Sequence, residues 1–295
     1  MQKVGERIAT AQFIENGIKA FVRTSSLNHM PVSDNLIFDE PLVQFADGND
    51  PIFLEYKAII DPSHLTPHEA LAKAVYKRHK DIPARLSVIS WILPITNRTR
   101  ESNRRETLTP SPLWVYTRWY GEKFNEALRK HAVELLTKMG YLAVAPILQP
   151  YFKRVDYNKE KSFYSNWSER HIAYAAGLGT FSLSEGFITE RGIAHRCGSV
   201  VTSLVLPASP RTARNPYSNC LFYVNGKCTA CIARCPAGAI TENGHDKLRC
   251  SKYFFSEIGY LRKKYDVGVA GCGLCQTKVP CEFRNPVKKL SMKTG

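Results

Sequence analysis

The chain has 295 residues and a mass of 33.3 kDa, enough for one large domain or for an ordinary domain with a small companion. Hydrophobic residues make up 44% and charged residues 23%, which excludes disordered and fibrous classes. The 41 Lys and Arg against 26 Asp and Glu leave a net charge of +15, which points to an acidic partner, and the nine cysteines point to a metal or redox centre.

The first 65 residues read as loop-rich, punctuated by Pro31, Pro41, Pro51 and Pro62. Thr66-Pro67-His68-Glu69 then opens a helix, with a capping threonine, a proline at the first helical position and a glutamate that closes a capping box. That helix is predicted to run to about Lys80. Residues 87–94 predict a strand ended by Pro94. Residues 120–139 predict the clearest helix, because Phe124, Leu128, Ala132, Leu135 and Leu136 recur at helical spacing before Gly140. A strand over 141–148, a helix over 166–176 capped by Ser165 or Asn166, and a strand over 199–206 follow. Strands alternating with helices predict an α/β (α+β) layer over 81–210, behind an N-terminal extension over 1–80. Residues 207–219 read as a linker into a cysteine-rich segment over 211–295.

No apolar run is long enough for a transmembrane helix, so no membrane association is expected. The N-terminus lacks the apolar core of a secretory signal and a twin-arginine pair, so a cytoplasmic location is expected. An odd number of cysteines in that compartment disfavours a disulfide framework. Residues 1–75 hold 6 basic and 10 acidic residues, whereas 76–295 hold 35 and 16. The positive charge therefore lies in the part of the chain that carries the cysteines.

Cys228, Cys231 and Cys235 are spaced C-x2-C-x3-C, and Pro236 follows. This is the end of the bacterial ferredoxin run C-x2-C-x2-C-x3-C-P, with its first cysteine displaced to Cys220. Cys250, Cys272, Cys275 and Cys281 make eight, enough for two [4Fe–4S] clusters. In two-cluster ferredoxins the cysteine before proline ligates the other cluster. That rule assigns Cys220, Cys228, Cys231 and Cys281 to one site, and Cys235, Cys250, Cys272 and Cys275 to the second. Two zinc sites could use the same eight thiolates, and buried inert cysteines are the third reading. Cys197 is left over, as a small buried residue beside an apolar strand. The basic stretch Arg98, Arg100, Arg104 and Arg105 could grip a phosphate or form an exposed loop. Arg118-Trp119-Tyr120 could line a flat-ring pocket or pack in a core.

The segment from Glu169 to Gly179, ERHIAYAAGLG, followed by a strand ending LVLP and then the cysteine run, resembles epoxyqueuosine reductase. That family in turn is similar to the cobalamin-dependent reductive dehalogenases. The resemblance covers about residues 85–285 and is most specific in the cysteines. It implies a nitroreductase-like corrinoid-binding domain, with Gly177, Leu178 and Gly179 at the cofactor, followed by a ferredoxin-like domain. It also implies two [4Fe–4S] clusters feeding a base-off cobalamin that reduces an organic substrate. The family carries an aspartate proton donor six residues before the glutamate, where this chain has Phe163. Dehalogenases use a tyrosine donor, which makes Tyr164 a candidate, with Glu169 and His171 beside it.

The leading expectation is an iron–sulfur reductase similar to that family, served by a low-potential donor such as a flavodoxin or ferredoxin. A second expectation is an electron-transfer protein, or a reductive activator of a separate corrinoid protein, which needs no proton donor. A tRNA partner would account for the charge but not for the cysteines.

Overall fold

A computed structural model describes residues 4–75, 82–157 and 162–288. The chain opens with α1 (Val4–Thr24), β1 (His29–Met30), β2 (Ser33–Leu36), β3 (Leu42–Asp47), α2 (Ile52–Ile59) and α3 (Pro67–Val75). It continues with β4 (Ser87–Pro94), α4 (Asn97–Arg104), α5 (Pro112–Lys138) and β5 (Ala143–Val144). Next come β6 (Arg154–Tyr157), β7 (Ser162–Ser165), α6 (Glu169–Ala175), β8 (Gly179–Phe181), β9 (Phe187–Thr189) and β10 (His195–Thr202). The cysteine region holds α7 (Leu221–Asn225), α8 (Ala230–Ala233), β11 (Ile240–Thr241), β12 (Gly244–His245), α9 (Lys247–Tyr253) and α10 (Leu261–Lys264). A π-turn over Phe254–Ile258 joins α9 to α10.

The centre is a four-stranded sheet in the order β3-β4-β10-β5. Every pairing in it is antiparallel, so the alternating strands and helices of the sequence form a mixed α+β layer. β4 is buried along its whole length, and its two-residue period divides it between two cores. Ile89, Trp91 and Leu93 face α1 and α5, where Ile14, Ile18, Phe124 and Leu128 are buried. Val88 and Ile92 face the other way, against Leu71, Trp167, Ile172 and Ala173. Helices thus cover both faces of the sheet.

The N-terminal segment departs most from expectation. Its prolines all follow residue 30, and before them α1 buries Ala11, Ile14, Ile18 and Val22 at three- and four-residue spacing. β3 then pairs with β4 in register from Leu42–Ile92 to Asp47–Ser87. The capping box forms as expected. Thr66 N–H donates to Glu69 Oε2 at 2.8 Å, and Glu69 N–H to Thr66 Oγ1 at 3.2 Å. The described part of that helix ends at Val75, and its expected last turn lies outside the described residues.

The expected helix over 120–139 begins eight residues earlier. Ser111 Oγ accepts from Trp114 N–H at 3.2 Å, and Pro112 takes the first helical turn. The strand expected over 141–148 shrinks to β5, because Pro146 opens a 3₁₀ turn and brings no ladder donor. α6 starts at Glu169 behind Ser168, later than expected, since Ser165 and Asn166 close β7 and the loop after it. The strand expected over 199–206 is β10, which starts at His195 and stops at Thr202. Residues 203–220 carry no regular element, as the linker reading expects, but they cross the sheet edge. Ser209 N–H donates to Phe45 O at 2.8 Å and Phe45 N–H to Ser209 Oγ at 3.0 Å. Among the described residues no helix is long and apolar enough to cross a membrane.

Candidate functional site

All nine cysteines are free thiols. Cys220, Cys228, Cys231 and Cys281 line one small cavity together with Ile188 and Val279. Burial, then the nearby Cys220, Cys231 and Cys228, push the Cys281 thiol far up. Cys231 is raised to about 11 by burial, Cys220 and Cys228. Cys272 is raised to about 11, chiefly by burial, with Cys250 and Cys235 adding to it. Cys275 is pushed well above its ordinary value by burial and then by Cys272, Cys250 and Cys235. Cys220, Cys228, Cys231 and Cys281 thus share one cavity, and Cys235, Cys250, Cys272 and Cys275 lie near one another, with Cys231 close enough to act on Cys275 as well. Among the described residues, no three thiols, imidazoles or carboxylates converge on one metal-sized point.

The supports of the two groups overlap, since Cys235 and Cys275 share an apolar cluster with Cys220, Cys231 and Cys281. The first packs against Leu183, Ile188 and Ile193. In the second, Cys272 packs against Val115 of α5 and against Ile258 and Leu261. Gly273 and Gly268 lie against the indoles of Trp114 and Trp119, so Trp119 packs on the cysteine region and is not in the wall of the largest cavity described below. Arg100 and Arg104 of the basic stretch stand 3.5 and 2.6 Å from the buried Glu282 carboxylate, next to Cys281. They clamp the cysteine region to α4, and in a buried ion pair losing either partner is expensive. Arg98 and Arg105 are exposed.

A cavity of about 1250 Å³ lies between the sheet layer and the cysteine region. α2 forms one wall, Phe163 and Tyr164 of β7 another, and β12 with His245 a third. Ser182 lines both this cavity and the small one of the first thiol group. His245 joins the cavity to the second group. Burial pulls its basicity down, but hydrogen bonds with Cys250 and Glu185 raise it to about 9. The cavity carries Arg170, Arg211 and Lys247, of which Arg211 pairs with Asp50 at 3.0 Å and Lys247 with Glu185 at 3.3 Å.

Tyr164 and His171 both line this cavity. His171 Nδ1 shares a 2.8 Å hydrogen bond with Ser168 Oγ, and Tyr56 donates to the His171 carbonyl at 2.7 Å. Burial, with Arg170 nearby, lowers His171 to about 3, so its imidazole is neutral. Glu169 does not line the cavity. It stands 3.2 Å from Arg129 and accepts from Ser199 Oγ at 2.6 Å, and burial raises its pKa. Its place is at the joint of α5, α6 and β10.

Gly177 and Gly179 serve the chain's own packing, and Leu178 is buried in the core. Gly177 has φ +79°, and a side chain there would meet the Pro210 carbonyl. A side chain on Gly179 would meet the Ile188 carbonyl across β8 and β9. Cys197 packs against the core from β10, and burial raises its thiol to about 12. The sequence reading missed α2, Arg211 and His245 as cavity residues. A histidine between Cys235 and Cys250 was the one local signal, and α2 was hidden in a segment read as loop.

No family model matches the chain. Over 119 residues, 38% of this chain, it is 29% identical to an epoxyqueuosine reductase of Bacillus anthracis and to one of Bacillus cereus. It is 30% identical over 120 residues to an epoxyqueuosine reductase of Staphylococcus aureus. The matched stretch covers 29% of each relative's length. None of these relatives is named a reductive dehalogenase. The crystal structure of a selenomethionine-labelled epoxyqueuosine reductase superposes with a TM-score of 0.47 at 17% identity, covering 92% of this chain and 66% of that one. The chain is thus similar, over rather more than a third of its length, to enzymes named epoxyqueuosine reductase.

Proposed function

We propose that this chain is an iron–sulfur oxidoreductase, with two [4Fe–4S] clusters held by its eight grouped cysteines and a corrinoid in the large cavity. The observation that carries the reading is that Cys220, Cys228, Cys231 and Cys281 line one small cavity that meets the large cavity at Ser182. Four thiolates on one zinc would converge on a point, whereas those on a cubane each bind a different iron and stand apart. The cavity's 1250 Å³ exceeds the roughly 300–1,000 Å³ usual for drug-sized ligands and leaves room for a macrocycle. The curated relatives are consistent with a reductase.

Bound in these sites, the clusters and corrinoid would supply low-potential one-electron chemistry. The chain's own part is to bind, orient and protonate. Tyr164 presents the candidate proton donor at the cavity wall, beside Phe163. The neutral His171, fixed through Ser168, can orient a polar group there without adding charge. Glu169 holds Arg129 and β10 in place and is not proposed as a donor. Tyr174 and Phe181 give flat apolar surface next to these groups.

Anaerobic purification followed by iron, sulfide and corrinoid analysis tests the reading. About eight irons per chain, broad visible absorbance and retained cobalamin are expected. Zinc in a colourless protein would overturn it. Clusters without cobalamin affinity would select the second reading, an electron carrier or activator for a separate corrinoid protein. Phe163 at the cavity wall, in place of an acid, favours that reading.

A further inference from the structure

The outer face of the second thiol group has a composition of its own. α9 carries Cys250 between the exposed Arg249 and Lys252. α10 ends in the exposed run Arg262-Lys263-Lys264. Among the described residues no carboxylate lies within ion-pair distance of any of these five cations. Some exposed cations elsewhere do find acids, as with Lys138 and Glu134 at 2.7 Å or Lys288 and Glu190 at 3.0 Å. From Lys247 to Lys264 the only acid is Glu257.

Two aromatic rings stand in the same face. Phe255 is 69% exposed and Tyr260 57% exposed. Their neighbours Ile258 and Leu261 turn inward and pack with Cys272. The side chains alternate between an apolar underside on the thiol group and a wet face of rings and cations that no carboxylate neutralises. Folding alone does not account for ring exposure on that scale, while aromatic residues and arginine are enriched where proteins dock.

We propose that this face, α9 through α10, docks an acidic electron-carrier protein over the second thiol group. The proposal rests on the cluster reading above and adds where the carrier binds. Five cations without carboxylate partners would attract a carboxylate-rich surface and orient it on approach. The exposed rings would then be covered as water leaves the contact. The short path from this face to Cys250 and Cys272 makes it the electron entry side.

The test uses the full chain, anaerobically loaded with iron and sulfide, and a labelled bacterial flavodoxin as the acidic probe. Affinity is read by fluorescence anisotropy at about 50 mM and about 200 mM salt. Binding should weaken with salt. The triple variant Arg262→Glu/Lys263→Glu/Lys264→Glu should bind about tenfold or more weakly and lose most of the salt dependence. Phe255→Ala should weaken binding with the salt dependence intact. The double variant Lys130→Glu/Lys138→Glu, on the far end of α5, should bind as the parent does. Equal affinity of the triple variant and parent overturns the proposal. So does a triple variant that loses tRNA binding while keeping flavodoxin, which would make the face an RNA surface. Iron and sulfide content of the same samples reports separately on the cluster reading, and unchanged content certifies that the triple variant is folded.

Discussion

The sheet layer and the cysteine region are built by different physics. The sheet layer has helices of 21 and 27 residues, α1 and α5, and two apolar cores on a strand buried at every position. Among the described residues, the longest α-helix of the cysteine region, α9, has seven residues. Isolated helices shorter than about 12–15 residues are marginal in water. Its apolar clusters are small and include the cysteines themselves or borrow Val115 from α5. The first region can hold its shape by burial alone, whereas the second lacks the core to do so. Groups of thiolates closed by metal are the usual remedy in so small a core.

Removal of the metal should separate the two regions most sharply. Loss of iron by anaerobic chelation should strip hydrogen-exchange protection from residues 211–288. Amides in β4, β10 and the second half of α5 should keep theirs. The first turns of α5, where Trp114 and Trp119 meet the cysteine region, should show an intermediate loss. Protection lost together in both regions would break the division into two regimes. Protection lost in neither would mean that the short elements hold without metal.

A core truncation should act the other way. Phe124 is fully buried, with ring centres 5.8 Å from both Phe21 and Phe38. Phe124→Ala should cost about 3–5 kcal/mol in urea unfolding of the sheet layer. Iron content per folded chain should not change. A variant that unfolds normally but loses iron would show that the cysteine region leans on the core as a whole, through more than α5's first turns.

What was legible in the sequence follows the same division. β4 and α5 could be read because their periodicity is dictated by burial on both faces or one. The thiol groups could be read because ligand spacing is a local constraint on the chain. α1 was missed although its stripe is regular, since the loop reading rested on prolines that all lie farther on. The cavity was not legible at all. Its walls come from α2, β7 and the hairpin before α9, which are far apart in the chain, and only the fold brings them together. Glu169 was read as a candidate donor because a sequence shows its helix position and not the Arg129 and Ser199 that occupy it.

The smallest expected effect is one of pH, and it should strike the sheet layer alone. His64 is fully buried beside Trp167, with ring planes 10° apart. Its Nε2 accepts from Ser168 N–H at 3.1 Å, so the proton sits on Nδ1, which is buried without a partner. Burial, then Lys57, lowers it to about 4 from an ordinary 6.5. The unfolded chain thus binds a proton near pH 6.5 that the folded chain refuses until about 4. Stability from the neutral ring is complete above 6.5 and drains away as the pH falls towards 4. Between pH 7 and pH 5 this one group should cost about 2 kcal/mol. In His64→Gln, whose amide oxygen can accept from Ser168, the drop in urea stability over that range should be smaller by that amount. Parallel drops in parent and variant would assign the acid sensitivity to other groups. The clusters' visible absorbance should be unchanged at both pH values, because His64 lies in the wall of the sheet layer, away from either thiol group.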